Sequence, residues 1–157
     1  MHLKHKNLEI RLATVNDAEY LHKYWSEDSW NTTTLEELQT MLSNGNTQYM
    51  IEVHGQLIGD IHYGEVEDNG AEIGIYIRNK EERGKGYGLL ALRLFIDALF
   101  NLGYSKIVLN TGGDNKSMRH IAEKKLGLKP IVHEDVYQEQ TGTYETCVEY
   151  VLESKLN

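Results

Sequence analysis

The chain has 157 residues, a formal net charge of −8, and a composition that is 40% hydrophobic and 25% charged. That is the size of one domain with room for a real core, too apolar for a disordered chain, and too acidic for a global electrostatic grip on nucleic acid. No apolar run approaches the ~18 residues of a membrane span, the opening MHLKHKNLEI has no apolar secretory core, and the single cysteine, Cys147, excludes an internal disulfide, so a reducing cytoplasm is expected.

In chain order, His2 and His5 read as part of a flexible end. LEIRLAT (8–14) alternates apolar and polar, as a half-buried strand does. NDAEYLHKYW follows as a helix capped by Asn16, with Leu21, Tyr24 and Trp25 on one face. Thr34 and Glu37 form a second capping box ahead of a Leu35, Leu38, Leu42 stripe. The period then changes to two. TQYMIEV and QLIGDIHYGEV flank a tight turn at His54-Gly55, and EDNG (67–70) is a second turn with Asn69-Gly70 suited to positive φ. With AEIGIYI (71–77) this predicts a three-stranded antiparallel meander over 47–77. GLLALRLFIDALFNLG is a buried helix ending at Gly103, KIVLN (106–110) a central strand, and DNKSMRHIAEKKLG a more polar helix ending at Gly127. LKPIV (128–132) and TYETCVEYVLES (143–154) are late strands. There is no repeat, no linker and one proline, Pro130, so a single domain over 1–157 of α+β or mixed α/β class is expected.

Between the third strand and the long helix lies RNKEERGKGYG (78–88). Arg78, Lys80, Arg83 and Lys85 face only Glu81 and Glu82, a basic island in an acidic chain. A helix start has unpaired N–H groups and the positive end of the dipole, and glycines at 84, 86 and 88 let a bulky anion approach the backbone. The combination predicts a phosphate site, most simply for a pyrophosphate. A P-loop is excluded because Leu89 and Leu90 stand where a lysine and a hydroxyl are needed. GYGLLA (86–91) fits the dinucleotide fingerprint, but an antiparallel meander precedes it where that fingerprint opens a parallel sheet.

R-x-x-G-x-G over Arg83, Gly84, Lys85, Gly86, Tyr87 and Gly88 resembles the GNAT superfamily of acyl-CoA-dependent N-acetyltransferases. The likeness extends over nearly the whole chain, through IRLATVNDAEYLHKYW, the meander, AEIGIYI and LNTGGDNKSMRHIAEKKLGL. It implies a central, twisted, mostly antiparallel sheet with one splayed parallel strand pair and about four helices. It also implies acetyl-CoA as co-substrate, with no metal. Residues 83–88 would hold the pyrophosphate, main-chain groups of Ile75, Tyr76 and Ile77 the pantetheine arm, and Asn115 a further stretch of the cofactor, besides any role as a helix cap.

An amine with pKa near ~10 must lose a proton before attacking a thioester, so a base is expected. The candidates are Glu72, which matches a family position, with Asp60, His62 and Glu65 behind it; strand parity puts Asp60 and His62 on one face, where cross-strand pairing is the alternative. His120 reads as a helix-surface residue. Many relatives carry a tyrosine acid seven residues after the asparagine. Here that position is Ala122, and EKKLGL is one residue longer than the usual pattern, so Tyr137, Tyr144 or solvent would have to serve. Trp25 and Trp30 are candidates for the acceptor-pocket wall, with core packing the alternative for Trp25. The expected acceptor is the primary amine of a small cationic molecule or of a protein N-terminus, with no nucleic-acid or membrane partner and a homodimer left open. A non-catalytic acyl-CoA sensor and a dinucleotide-binding protein are the alternatives.

Overall fold

The alternation of apolar and polar residues, punctuated by left-handed turns, resolves into the following elements. The computed structural model describes residues 1–28 and 31–155; Trp30 lies outside them. Among these residues the strands are His2–His5 (β1), Leu8–Leu12 (β2), Gln48–Val53 (β3), Gln56–Val66 (β4), Gly70–Ile77 (β5), Lys106–Gly112 (β6), Ile131–Gln138 (β7) and Thr143–Glu153 (β8). The helices are Ala18–Trp25 (α1), Leu35–Ser43 (α2), Tyr87–Asn101 (α3) and Lys116–His120 (α4). The strands hydrogen-bond in the order β1-β2-β3-β4-β5-β6-β8-β7, mostly antiparallel, with β5 and β6 parallel. The mixed α/β class and the single parallel pair are as expected.

Four local readings change. His2–His5 is not a loose end: it pairs antiparallel with β2, and His2 contacts the Glu9 carboxylate. The first helical stretch is capped two residues early, because a 3-10 turn over Val15–Asp17 precedes α1 and Thr14, not Asn16, stands before it. In the second turn Asp68 and Asn69 take positive φ, at 60° and 54°. Gly70 instead opens β5, where a Cβ would sit 2.8 Å from a Val66 methyl. The late strand starts at Ile131, since Pro130 has no N–H to give a ladder.

The chain divides into two units, Met1–His62 with Ile75–Ala91, and Tyr63–Gly74 with the chain from Leu92 onward. In the first, Ala13, Ala18, Leu21, Leu38, Leu42 and Met50 form a buried cluster, and Trp25 and Leu35 pack against it. The α2 capping box is closed in both directions, Glu37 N–H to Thr34 Oγ1 at 3.1 Å and Thr34 N–H to Glu37 at 2.8 Å. His54 and Gly55 turn between β3 and β4 with φ of 52° and 74°. Gly59 lets β4 approach β5, since a Cβ there would lie 2.1 Å from the Tyr76 carbonyl oxygen.

In the second unit α3 buries Leu92, Phe95, Ile96 and Leu99 on one stripe, and Phe95 meets the Tyr63 ring. The helix stops at Gly103, whose φ is 106°. After α4 the chain continues over Ile121–Lys125 with π-helical spacing, closed by the Leu126 N–H on the Ile121 carbonyl at 2.9 Å. The extra residue of EKKLGL is absorbed by this wider turn.

Asp17 is 4% exposed. Burial alone would raise its pKa, but two hydrogen bonds from Arg11 (2.8 and 2.9 Å) and one from the Thr14 N–H hold it below the ordinary aspartate range. Such a group adds stability above its unfolded pKa of about 3.9, and that stability is lost as pH falls through the lower folded value. Urea unfolding of the native protein should therefore weaken steeply below about pH 4, and Asp17→Asn should be less stable at pH 7 with a flatter acid limb.

Candidate functional site

The site begins where β5 ends. The N–H groups of Arg78 and Asn79 both bond the Ile58 carbonyl, at 2.8 and 3.2 Å. A 3-10 turn over Lys80–Glu82 follows, and the chain then passes through Gly84 (φ 75°) and Gly86 (φ 87°) into α3. A Cβ at either glycine would meet nothing within 4 Å, so glycine is needed for the left-handed backbone, not for space. Gly88 is different. Its φ is not left-handed, and a Cβ there would make only an ordinary 3.6 Å contact with Ile77. Nothing in the protein itself requires glycine at 88.

Among the described residues, the N–H groups of Gly84, Lys85, Gly86, Tyr87 and Gly88 donate to no protein acceptor. Residues 83–86 are exposed and Tyr87 and Gly88 half-buried, and these donors are left without a protein partner. Arg83 is anchored by its Nε–H on the Ile77 carbonyl at 2.8 Å, and Lys85 reaches Glu82 at 3.2 Å. A run of free amides at a helix start, flanked by two cations, suits a multiply charged phosphate.

Asp60 and His62 on β4, Tyr76 on β5 and Arg78 just beyond its end come together in the same unit. Asp60 is 1% exposed. Its oxygens accept from Arg78 Nε at 2.6 Å, Arg78 Nη2 at 3.2 Å and Gln48 Nε2 at 3.3 Å. The Arg78 guanidinium lies 4.2 Å from the Tyr76 ring centre and 5.6 Å from that of Tyr24. His62 stacks on the other partner in this row, Tyr76, with ring centres 6.3 Å apart. Burial pushes the Tyr20 and Tyr76 phenols above their ordinary value. Arg78, expected from the sequence as part of the basic loop, is instead the partner of Asp60.

In the second unit Glu72 is half-buried on β5, opposite Val108 of β6, and among the described residues its carboxylate takes no hydrogen bond or ion pair. Glu65 is engaged by the Tyr104 hydroxyl at 2.8 Å. Asn115 caps α4, its Oδ1 accepting from the Met118 N–H at 3.1 Å while its Nδ2 donates to no acceptor among the described residues. Ala122 is fully buried. Beside it the Tyr150 hydroxyl and Arg119 both bond Glu123, at 2.8 and 3.1 Å. Tyr137 and Tyr144 are exposed and pair ring to ring at 5.3 Å. His120 is exposed, as expected of a helix-surface residue. Among the described residues no group of three or more His, Cys, Asp or Glu is placed to hold a metal ion, and no helix is long and apolar enough to cross a membrane.

The acetyltransferase (GNAT) domain family model matches residues 7–129. The chain belongs to the GNAT acetyltransferase family. No curated protein matches it by sequence. Its fold is that of a GNAT-family acetyltransferase from Bacillus anthracis (17% identity, TM-score 0.81, 98% of each chain covered). It is also that of RimL, a ribosomal alpha-N-protein acetyltransferase in complex with coenzyme A (16%, TM-score 0.83, 100% of each chain). A third similar structure is yncA, a putative acetyltransferase from Salmonella typhimurium with its cofactor acetyl-CoA (19%, TM-score 0.76, 96% of each chain).

The Asp60–Arg78 pair makes a structural demand that can be measured. Arg78→Met strands a buried carboxylate and should cost about 3–5 kcal/mol in urea unfolding. Adding Asp60→Asn to it should restore part of that loss.

Proposed function

We propose that the protein transfers an acetyl group from acetyl-CoA to a primary amine by direct attack. The observation that carries this reading is the run of unspent amides over residues 84–88, beside Arg83. In this reading residues 83–88 hold the cofactor pyrophosphate, and main-chain groups of Ile75, Tyr76 and Ile77 bond its arm. Acetyl-CoA supplies the activated acyl group. The protein's part is to orient the reactants and accept the ammonium proton. As the amine nitrogen bonds the carbonyl carbon, the carbon–sulfur bond breaks and the thiolate leaves.

Glu72 is favoured as base because its carboxylate is unspent, whereas the Asp60 oxygens are held by Arg78 and Gln48. His62, in its stack with Tyr76, ranks behind Glu72. The Asn115 Nδ2 is the other unspent polar group of the second unit that this reading uses, toward the cofactor. The acceptor is the amine of a small molecule or a protein N-terminus; the likeness to RimL supports the second. The reading takes residues 1–157 as one catalytic domain working in the cytoplasm. A second reading, an acyl-CoA sensor, is favoured by the absence of a protic group at Ala122.

Thermal denaturation with ligand tests the cofactor assignment. Acetyl-CoA at 100 times its Kd should stabilise the native protein by about 2.7 kcal/mol. Gly86→Asp should abolish that gain. Gly88→Ala should fold with equal stability or up to about 1 kcal/mol more, yet bind acetyl-CoA at least tenfold more weakly. Full binding by both variants overturns the loop assignment. Binding without amine-dependent thiol release selects the sensor.

A further inference from the structure

The helix that Asn115 caps, α4, is five residues long, little more than one turn. A helix that short does not hold itself, so tertiary bonds must fix where it stands. The Asn115 Oδ1 is committed to the Met118 N–H, and the direction of its free Nδ2 therefore follows from the placement of the helix.

Two attachments tie the helix to β8. The first runs through the backbone. The Gly113 N–H donates to the Thr146 carbonyl at 2.8 Å, and a Cβ at Gly113 would lie 2.9 Å from the Thr146 methyl. Glycine at 113 thus lets the loop after β6 lie against β8. The second attachment runs through side chains. Tyr150 is fully buried on β8, opposite Leu109 of β6, and its hydroxyl donates to Glu123 Oε2 at 2.8 Å. Arg119 Nε donates to the same oxygen at 3.1 Å, and Arg119 Nη1 to the Gly113 carbonyl at 3.1 Å. The bonds from Tyr150 and Arg119 hold the Glu123 carboxylate below its ordinary pKa, so it is ionised at neutral pH. Tyr150, Glu123, Arg119 and the Gly113 carbonyl form one chain of hydrogen bonds from the core to the loop that ends in Asn115. Only a forked donor such as arginine spans Glu123 and Gly113 at once.

We propose that Tyr150, Glu123 and Arg119 are positioning residues for acetyl-CoA, setting the orientation of Asn115 and, through its Nδ2, the hold on the cofactor. This rests on the cofactor assignment made above and extends it to residues that do not touch the cofactor themselves. Tyr150 serves by its bond to Glu123, not by giving up a proton.

Calorimetric titration with acetyl-CoA, paired with urea unfolding, tests it. Tyr150→Phe keeps the buried ring and should bind acetyl-CoA roughly fivefold to tenfold more weakly, the worth of one hydrogen bond to a charged group. Glu123→Ala should lose at least as much. Glu123→Gln, whose amide oxygen can accept both bonds, should bind within about threefold of the native protein. The deciding comparison is a cycle with Asn115→Ser, which keeps a helix cap and loses the amide donor. If Tyr150 acts through Asn115, Tyr150→Phe weakens binding no further in the Asn115→Ser background. Equal weakening in both backgrounds overturns the proposal, and so does native-like binding by Tyr150→Phe and Glu123→Ala. Should Tyr150→Phe lose its cooperative unfolding transition, the cycle is run with Glu123→Ala, and the same outcomes decide. Absence of acetyl-CoA binding by the native protein is a separate result, which removes the cofactor assignment and this proposal with it.

Discussion

A carboxylate that is 1% exposed needs partners for its oxygens, and the pairing of Asp60 with Arg78 is the constraint from which the candidate site follows. Desolvating both charges costs several kcal/mol, offset only when geometry is good and the remaining lone pairs are filled. Both conditions are met: Arg78 makes two hydrogen bonds and Gln48 a third. The consequence is positional. Arg78 sits immediately after β5, and its own N–H and that of Asn79 converge on the Ile58 carbonyl. The chain therefore leaves the sheet at a fixed point and in a fixed direction. The short turn over Lys80–Glu82 and the two left-handed glycines then carry it into α3 with five amides unspent. The root of the loop is held by these bonds while its own amides are left without a protein acceptor.

The aromatic residues around the pair keep its charge in place. Tyr24 and Tyr76 lie against the guanidinium, which tolerates stacking because it is planar and weakly hydrated. Burial raises the Tyr20 and Tyr76 phenols, so both stay neutral at physiological pH.

The parts legible in the sequence were those whose physics is local. Thr34 with Glu37, His54 with Gly55, and the stop at Gly103 each need only a few neighbouring residues, and each was found where expected. The glycine loop was legible for the same reason: charge, backbone freedom and a helix start coincide within eleven residues. What escaped was long-range or composite. Asp60 and Arg78 are eighteen residues apart, and their pairing depends on how β4 and β5 lie together. β1 is four residues of mostly polar sequence that gain meaning only beside β2. The early cap at Thr14 depends on Asp17 being bound by Arg11 from another element.

The missing tyrosine at Ala122 bears on whether the protein catalyses or only binds. A phenol is near in sequence contacts, because Tyr150 is bonded to the Glu123 that follows Ala122, but its proton is committed to that carboxylate and burial together with Glu123 raises its pKa. It is a poor acid and a good brace, joining β8 to the π-helical turn. The chemistry asks for less than a dedicated acid. A thiol with pKa near ~8.5 leaves as a thiolate at neutral pH at modest cost and can take its proton from water afterwards. The other reactant must also lose a proton in place, from an ammonium of pKa about 8 at a protein N-terminus or about 10 on a small alkylamine. In the acetyl-transfer reading proposed above, the unspent Glu72 carboxylate is the group assigned to that demand.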